Sequence, residues 1–274
     1  MNKDKEQGML LGRQTPVTDS YAPELLYPIS RATGREQIAT AGALPFTGTD
    51  LWHAYEMSWL DAAAKPVTFV GRFAIPASSP NMVESKSFKL YLNSLNNTCF
   101  ESTEEVREII RRDIGQVVGT DVELQLLAVD DASLAGAELN GFCLDDLDAG
   151  VPEPEPTATI LALQDTGHAE EKLYTHLLRS LCPVTGQPDW ASVWIHYSGP
   201  PLVRESLLRY IIAYRSHQEF HEQCVERMFS HLYQRLTPEF LHIQAFYTRR
   251  GGLDINPFRS TDPAGLPLPR LNRQ

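Results

Sequence analysis

Two helices joined by a short link are predicted by residues 84–118, whose sequence is ESKSFKLYLNSLNNTCFESTEEVREIIRRDIGQVV. In both segments the apolar residues recur at the three- and four-residue spacing of an amphipathic helix. Ser102 stands three positions before Glu105, which is the pattern of a capping box at a helix start. The flanking residues 66–75 and 121–129 have the β-branched or alternating character of strands. This region is therefore predicted to fold as strand, helix, helix, strand.

The same order of elements returns in the second half of the chain. Residues 192–199 and 239–250 favour strands, and residues 202–215 and 219–236 favour amphipathic helices. A further helix is predicted over residues 168–181, just before a turn rich in proline. The second half thus repeats the two helices between strands.

A register of 119 positions relates the two halves. Three identities follow it, pairing Ser87 with Ser206, Tyr91 with Tyr210, and Val106 with Val225. We therefore predict an α+β fold of two tandem modules, each an antiparallel sheet with a pair of helices packed on one face. The predicted boundaries are an N-terminal extension at 1–44, a first module at 45–150 and a second module at 151–274.

The composition excludes several classes of protein. A hydrophobic content of 42% and a charged content of 22% are typical of a soluble globular chain, and no apolar run approaches the ~20 residues of a membrane span. With its polar N-terminus the chain is expected to be cytoplasmic, and its four scattered cysteines are expected to be reduced. The net charge of −11 opposes direct binding to nucleic acid. Residues 130–156, with eight carboxylates and no lysine or arginine, are predicted to be a solvated connector.

Cys182 and Asp189 lie seven positions apart in SLCPVTGQPDW, residues 180–190, where two prolines and a glycine constrain the backbone. A thiol is a strong nucleophile, and a nearby carboxylic acid can protonate whatever the sulfur attacks. The alternative is structural: Cys182 would fill a helix end as a small apolar residue, and Asp189 would be a turn residue. The residues alone leave both interpretations open.

Two further polar clusters suggest ligand binding. His221 and Glu222 stand at a predicted helix start, where a carboxylate can accept hydrogen bonds from a guanine-like edge or can simply favour the helix dipole. Residues 248–254, TRRGGLD, could bind a phosphate through guanidinium and backbone N–H groups, or could be a solvated strand end. The chain has no G-x-G-x-x-G or Walker sequence, so a nicotinamide cofactor would have to bind outside a Rossmann fold.

Taken together, four segments resemble the QueF-type nitrile reductases in their long, two-module form. These segments are residues 84–91 (ESKSFKLY), the stretch from Cys182 to Asp189, residues 220–222 (FHE) and residues 249–254 (RRGGLD). The resemblance runs from about Pro45 to the C-terminus. It implies the tunnelling fold, which is shared with GTP cyclohydrolase I, but without the zinc site of that enzyme and with no other metal.

The resemblance also implies a reaction. NADPH would reduce 7-cyano-7-deazaguanine to 7-aminomethyl-7-deazaguanine, a step in the synthesis of the modified tRNA nucleoside queuosine. Cys182 would add to the nitrile carbon to give a thioimide, Asp189 would protonate the nitrogen, and His221 would assist proton movement. Two NADPH would be consumed for each amine, in an enzyme expected to be a homodimer.

The remaining site residues follow from the same resemblance. Those that would bind the substrate are Val83, Glu84, Ser85, His221 and Glu222. Those that would bind NADPH are Ser85, Lys86, Arg250 and Gly251.

Two other functions stay open on the residues alone. A zinc-dependent cyclohydrolase on the same fold would need a tight set of Cys and His ligands, for which Cys182, His221 and Cys224 give little pattern. A catalytically silent purine- or pterin-binding module would leave Cys182 with a structural role only.

Overall fold

The computed structural model describes Thr18 and residues 20–38, 44–151 and 153–274. Part of the predicted N-terminal extension therefore lies outside the described residues, and so does Pro152 of the predicted connector. The strands are β1 (Pro28–Ser30), β2 (Thr47–Leu60), β3 (Pro66–Pro76), β4 (Asn81–Val83), β5 (Glu123–Leu127), β6 (Phe142–Cys143), β7 (Ala169–Leu181), β8 (Pro188–Gly199), β9 (Phe240–Tyr247) and β10 (Leu253–Ser260). The α-helices are α1 (Arg31–Arg35), α2 (Ser85–Ser94), α3 (Thr103–Val118), α4 (Arg204–Ile212) and α5 (His221–Leu236).

The described residues fall into two compact units. The first unit contains residues up to Thr33 together with 51–134 and 249–254, and the second contains 34–50, 135–248 and 255–274. Each unit combines antiparallel strands with a pair of long helices, which confirms the predicted α+β class. The boundary predicted between residues 150 and 151 stays a prediction.

In the first unit the strands are ordered β5-β3-β2, and β3 runs antiparallel to β5 from Val70 opposite Leu127 to Ala74 opposite Glu123. Helices α2 and α3 lie between β3 and β5 in the chain, as predicted, and bury apolar residues at helical spacing; the short strand β4 that precedes α2 was not predicted. In α3 these are Val106, Ile110, Ile114 and Val118, none of which is exposed. Ser102 caps α3 by accepting a hydrogen bond from the Glu105 amide at 3.2 Å. This amphipathic pattern is the reason why the sequence located both helices correctly.

In the second unit the strands are ordered β10-β9-β8-β7-β6, with every pair antiparallel except β6 and β7. Helices α4 and α5 connect β8 to β9 and share one apolar core with the strands. Residues at the centre of this core are Val193, Ile195, Leu207, Tyr210, Val225, Phe229, Ile243 and Ala245. The predicted connector is solvated only in part, because β6 pairs with β7 and Leu144 is fully buried in this core.

One contact is repeated in the two units. The Ser87 hydroxyl accepts a hydrogen bond from the Tyr27 amide at 3.0 Å and donates to the carbonyl three residues earlier at 2.7 Å. The Ser206 hydroxyl accepts from the Ala162 amide at 2.9 Å and likewise donates three residues back at 2.6 Å. Each serine ties the first of the two long helices of its unit, α2 or α4, to a preceding segment, as a duplication with a 119-residue register predicts.

The helix predicted over residues 168–181 is wrong, because Ala169–Leu181 form β7. Leu173 and Thr175 are buried in strand alternation, and a bulge between Thr175 and Leu178 then shifts the register so that Leu178 and Ser180 are buried next. A bulge inserts extra residues into a strand and breaks its two-residue period. The apolar spacing that results resembles a helix.

A buried ionic network holds α5 in the second unit. The Arg259 side chain is fully buried, and its guanidinium lies 2.8 Å from Glu226 Oε1 and 2.8 Å from Asp50 Oδ1. Arg35 approaches the same Glu226 oxygen at 2.7 Å. Buried charges persist only when they are paired in this way. The network therefore fixes the helix whose first residues are His221 and Glu222.

Candidate active site

Cys182 lies immediately after β7, in the tight turn that leads to β8. Its amide donates to the Gln187 carbonyl at 2.9 Å, and its carbonyl accepts from the Gly186 amide at 2.9 Å. Gly186 has φ +67°, a left-handed conformation that glycine adopts without strain. The Cys182 side chain is 1% exposed. The interpretation of Cys182 as a helix end is wrong, since the preceding element is a strand.

Asp189 is the second residue of β8 and faces Ser180 across the β7–β8 hairpin. It is 5% exposed, and its Oδ2 lies 3.1 Å from His221 Nε2. A buried imidazole and a carboxylate this close to one another can exchange a proton. The end of the hairpin therefore carries a thiol and a buried acid, and the acid lies beside an imidazole from α5.

The segment before α5 brings His221 to the hairpin. The Leu181 amide donates to the His217 carbonyl at 2.9 Å, and the Glu219 amide donates to the Leu181 carbonyl at 3.2 Å. These two bonds lay residues 217–219 alongside the last residue of β7. The start of α5 is thereby placed beside the turn that contains Cys182.

Glu219, which the sequence analysis did not single out, fastens this segment. Its carboxylate receives hydrogen bonds from His217 at 3.0 Å and from Arg227 at 2.7 Å. Burial would raise the pKa of Glu219, but the bonds from His217 and Arg227 outweigh it and leave that pKa below its usual range. The Glu219 carboxylate is thus kept ionised and paired, and it holds the segment two residues before His221 in place.

Glu222 lies in the first turn of α5 and is 4% exposed. The helix dipole favours an anion at this position. A carboxylate held on a rigid helix can accept two hydrogen bonds from neighbouring donors on a planar ring. The substrate-binding role that the family resemblance implies for Glu222 stays a prediction.

A second aromatic ring completes this cluster, although the sequence analysis did not single it out. The rings of His221 and Tyr247 are stacked, with centroids 3.7 Å apart and planes 10° from parallel. Tyr247 is the last residue of β9 and is 1% exposed. In the sequence it is one apolar residue of a predicted strand, so no local signal distinguishes it from the core.

The first unit contains the other predicted site residues. Glu84 caps α2, where its carboxylate accepts from the amides of Lys86 at 2.8 Å and Ser87 at 2.7 Å. Burial raises the pKa of Glu84, while those amides and the positive charges of Arg250 and Lys86 oppose the rise. Val83 is buried beside it, and Ser85 is half-buried. Glu84 therefore stands close to two cations predicted to bind NADPH.

Residues 250–253 form a two-residue hairpin turn in the first unit. Arg250 and Leu253 exchange backbone hydrogen bonds of 2.9 and 3.1 Å, while Gly251 and Gly252 have φ +60° and +78°. Two successive positive φ values define a type I′ turn, which favours glycine at both positions. A Cβ at Gly252 would also stand 2.5 Å from the Glu56 carboxyl carbon. The turn thus holds Arg250 and the exposed Gly251 backbone in a fixed arrangement.

The structure brings the predicted residues together in two groups, one in each unit. Cys182, Asp189, His221 and Glu222 form the group of the second unit, and Val83, Glu84, Ser85, Lys86, Arg250 and Gly251 belong to the first. Within the described ranges, no three or more His, Cys, Asp or Glu residues are grouped in a way that could hold a metal ion. The part of the chain that the structure describes also has no helix with the length and apolarity needed to cross a membrane.

Comparison with known proteins gives concordant matches along the chain. Residues 17–126 match the family model described as nitrile reductase, 7-cyano-7-deazaguanine-reductase N-term, and residues 188–265 match that of QueF-like protein. The NADPH-dependent 7-cyano-7-deazaguanine reductase of Burkholderia multivorans is 51% identical over 94% of this chain and 94% of its own. The protein of the same name from Acinetobacter baumannii is 49% identical over 97% and 98%. The solved archaeosine synthase QueF-Like covers 38% of this chain at 16% identity with a TM-score of 0.31, too distant a likeness to bear on the argument.

Proposed function

Because the chain belongs to the family of NADPH-dependent 7-cyano-7-deazaguanine reductases, we propose that it reduces this nitrile to the primary amine through a thioimide on Cys182. Membership makes the chain an NADPH-dependent oxidoreductase that acts on a nitrile, and it sets aside the zinc cyclohydrolase and the silent binding module. The observation that supports the covalent step is the buried Asp189–His221 pair at the end of the hairpin that carries Cys182.

The first step is the addition of the Cys182 thiol across the nitrile. The sulfur forms a bond to the nitrile carbon, and one electron pair of the triple bond moves to nitrogen, which takes a proton from Asp189. The Asp189–His221 pair recovers the thiol proton, so the step is balanced. A nitrile carbon accepts hydride poorly, and the thioimide is a more reducible C=N unit.

Two hydrides complete the reduction, one from each of two NADPH. After the first, the C–S bond breaks, Cys182 leaves as a thiol and an imine remains, with one proton taken up from water. The second reduces that imine to the aminomethyl group as its nitrogen takes a second proton from water. Cys182, Asp189 and His221 are all at least nine-tenths buried, and exclusion of water from such a site protects an imine from hydrolysis.

Recognition of the deazapurine ring is assigned to carboxylates. The ring presents an N–H and an amino group along one edge, and the Glu222 carboxylate can accept from both. His221 would contact the same substrate, and Val83, Glu84 and Ser85 are assigned to it by their match to the family motif. Because the substrate is a neutral free base, the negative charge of the chain does not oppose its binding.

Cofactor binding is assigned to Ser85, Lys86, Arg250 and Gly251. The charges of Lys86 and Arg250 both oppose the rise in the pKa of Glu84, and the Gly251 backbone is exposed in a rigid turn. Guanidinium, ammonium and backbone N–H groups fit the phosphates of NADPH.

Arg250→Ala should raise the KM for NADPH by about tenfold and change kcat little. The substitution removes one charged contact to a phosphate and leaves the catalytic residues Cys182 and Asp189 in place. Steady-state rates at varied NADPH with saturating nitrile measure the effect. Arg107→Ala is the matched control, because Arg107 is a cation on α3 of the same unit that pairs with the exposed Glu104. An unchanged KM in Arg250→Ala would remove Arg250 from the cofactor site.

The stoichiometry of the reaction tests the proposed function directly. Purified protein is given 7-cyano-7-deazaguanine and NADPH, and the NADPH oxidised is compared with the aminomethyl product formed. Two NADPH for each amine is the expected result. The absence of oxidation would contradict the reductase, and one NADPH for each product, with an aldehyde in place of the amine, would show that the imine is not protected.

The place of the product in queuosine synthesis, the homodimer and the cytoplasmic location stay predictions that accompany this proposal.

A further inference from the structure

We propose that Tyr247 is a positioning residue for the nitrile reduction, whose ring restricts the His221 imidazole and so keeps Nε2 close to Asp189. This inference rests on the proposed function. It assigns a role to a buried residue that does not itself touch the reacting atoms.

The geometry of the three side chains supports it. The Tyr247 and His221 rings are 3.7 Å apart and 10° from parallel, and His221 Nε2 lies 3.1 Å from Asp189 Oδ2. A ring stacked flat against the imidazole limits its rotation. The stack therefore keeps Nε2 beside the carboxylate.

Tyr247 is itself held from several sides. It stands opposite Ala191 in the β8–β9 pairing, and its carbonyl accepts a hydrogen bond from Gln274 Nε2 at 3.1 Å. Its hydroxyl lies beside the Ser180 hydroxyl and the Cys224 thiol. Burial raises the pKa of Tyr247 well above its usual range, so the phenol remains neutral. The stacking surface is thus rigid and uncharged.

The stack also favours one protonation state of the pair. A neutral aromatic face attracts a cation placed over it. Tyr247 therefore stabilises the imidazolium that His221 becomes when it takes up the thiol proton, after Asp189 has protonated the nitrile nitrogen. Without the ring, the pair would lose both its orientation and this stabilisation.

Replacing the ring tests the inference at the proton-dependent step. In Tyr247→Leu, thioimide formation measured without NADPH by rapid quench and intact mass should be about 100-fold slower, the typical cost of misplacing a catalytic group by about 1 Å. In Tyr247→Phe, which keeps the ring, the rate should stay within about threefold of wild type. Nitrile affinity, measured by calorimetry in a Cys182→Ala background, should fall much less in Tyr247→Leu than the rate of adduct formation does, because His221 is only one of the five residues assigned to the substrate.

Tyr210→Leu is the matched control. Tyr210 is a fully buried tyrosine of the same core, hydrogen-bonded at 2.9 Å to both Tyr214 and His231, and its loss should leave the rate of adduct formation near that of wild type. If Tyr247→Leu does not fold, Tyr247→Met takes its place, because methionine also lacks a ring that could stack on His221.

Three results would overturn the positioning role. They are adduct formation at the wild-type rate in the leucine or methionine variant, a phenylalanine variant as slow as that variant, and an equal loss in Tyr210→Leu. The absence of any adduct in the wild-type protein would instead contradict the proposed function, so the two failures are distinguishable.

Discussion

Cys182→Ala is expected to form no adduct with 7-cyano-7-deazaguanine and to lose turnover by about 10⁴-fold or more, the scale seen when a covalent nucleophile is removed. Without the sulfur, hydride would have to add to the nitrile itself, which is a poor electrophile. The fold should be retained, because both hydrogen bonds that hold this residue come from its backbone, to Gln187 and Gly186. Intact mass spectrometry without NADPH is the measurement, and the wild-type protein should gain one substrate mass.

Two of the three other thiols of the chain provide the controls. Cys99 is exposed and Cys143 is half-buried on β6, so both are more accessible than Cys182. Cys99→Ala and Cys143→Ala should form the adduct as the wild-type protein does. An adduct that persists in Cys182→Ala, or that moves to another cysteine, would show that a different thiol is the nucleophile.

The parts of the fold that the sequence predicted correctly are those with a regular local period. Helices α3 and α5 place apolar residues on one face, and α3 also has the Ser102 cap. Strand β10 gave no such signal, because its sequence LDINPFRS contains polar residues that are nevertheless buried. Asp254, for example, receives hydrogen bonds from His53 and Tyr55, at 2.8 and 2.5 Å. Partners that are distant in sequence stabilise this strand, and local propensity does not reveal them.

The candidate site likewise has features that the local sequence predicts and features that depend on distant partners. Cys182, Asp189, His221 and Glu222 could be identified by residue type and by their resemblance to a family motif. Their mutual arrangement could not, because it depends on a hairpin register and on the pairing of residues 217–219 with β7. The stack of Tyr247 on His221 joins β9 to α5 and has no counterpart in the local sequence.

Asp189→Ala should keep the fold and lose about 10²- to 10⁴-fold in turnover, the usual contribution of a general acid. The reason is that Asp189 is the buried acid at the end of the hairpin that carries Cys182, with Oδ2 3.1 Å from His221 Nε2. Asp189→Asn should lose as much, because its amide is not acidic although its size is similar. Turnover under saturating nitrile and NADPH measures the effect, and circular dichroism checks the fold.

Asp146→Ala is the control for this variant, since Asp146 is an exposed carboxylate of the same unit. Wild-type turnover in Asp189→Ala would remove the general-acid assignment. The rate of adduct formation then locates the step. If Asp189 protonates the nitrile nitrogen during sulfur addition, the adduct should form as slowly as turnover proceeds. A rapid adduct with slow turnover would instead place Asp189 in the hydride steps, where the nitrogen must again be protonated.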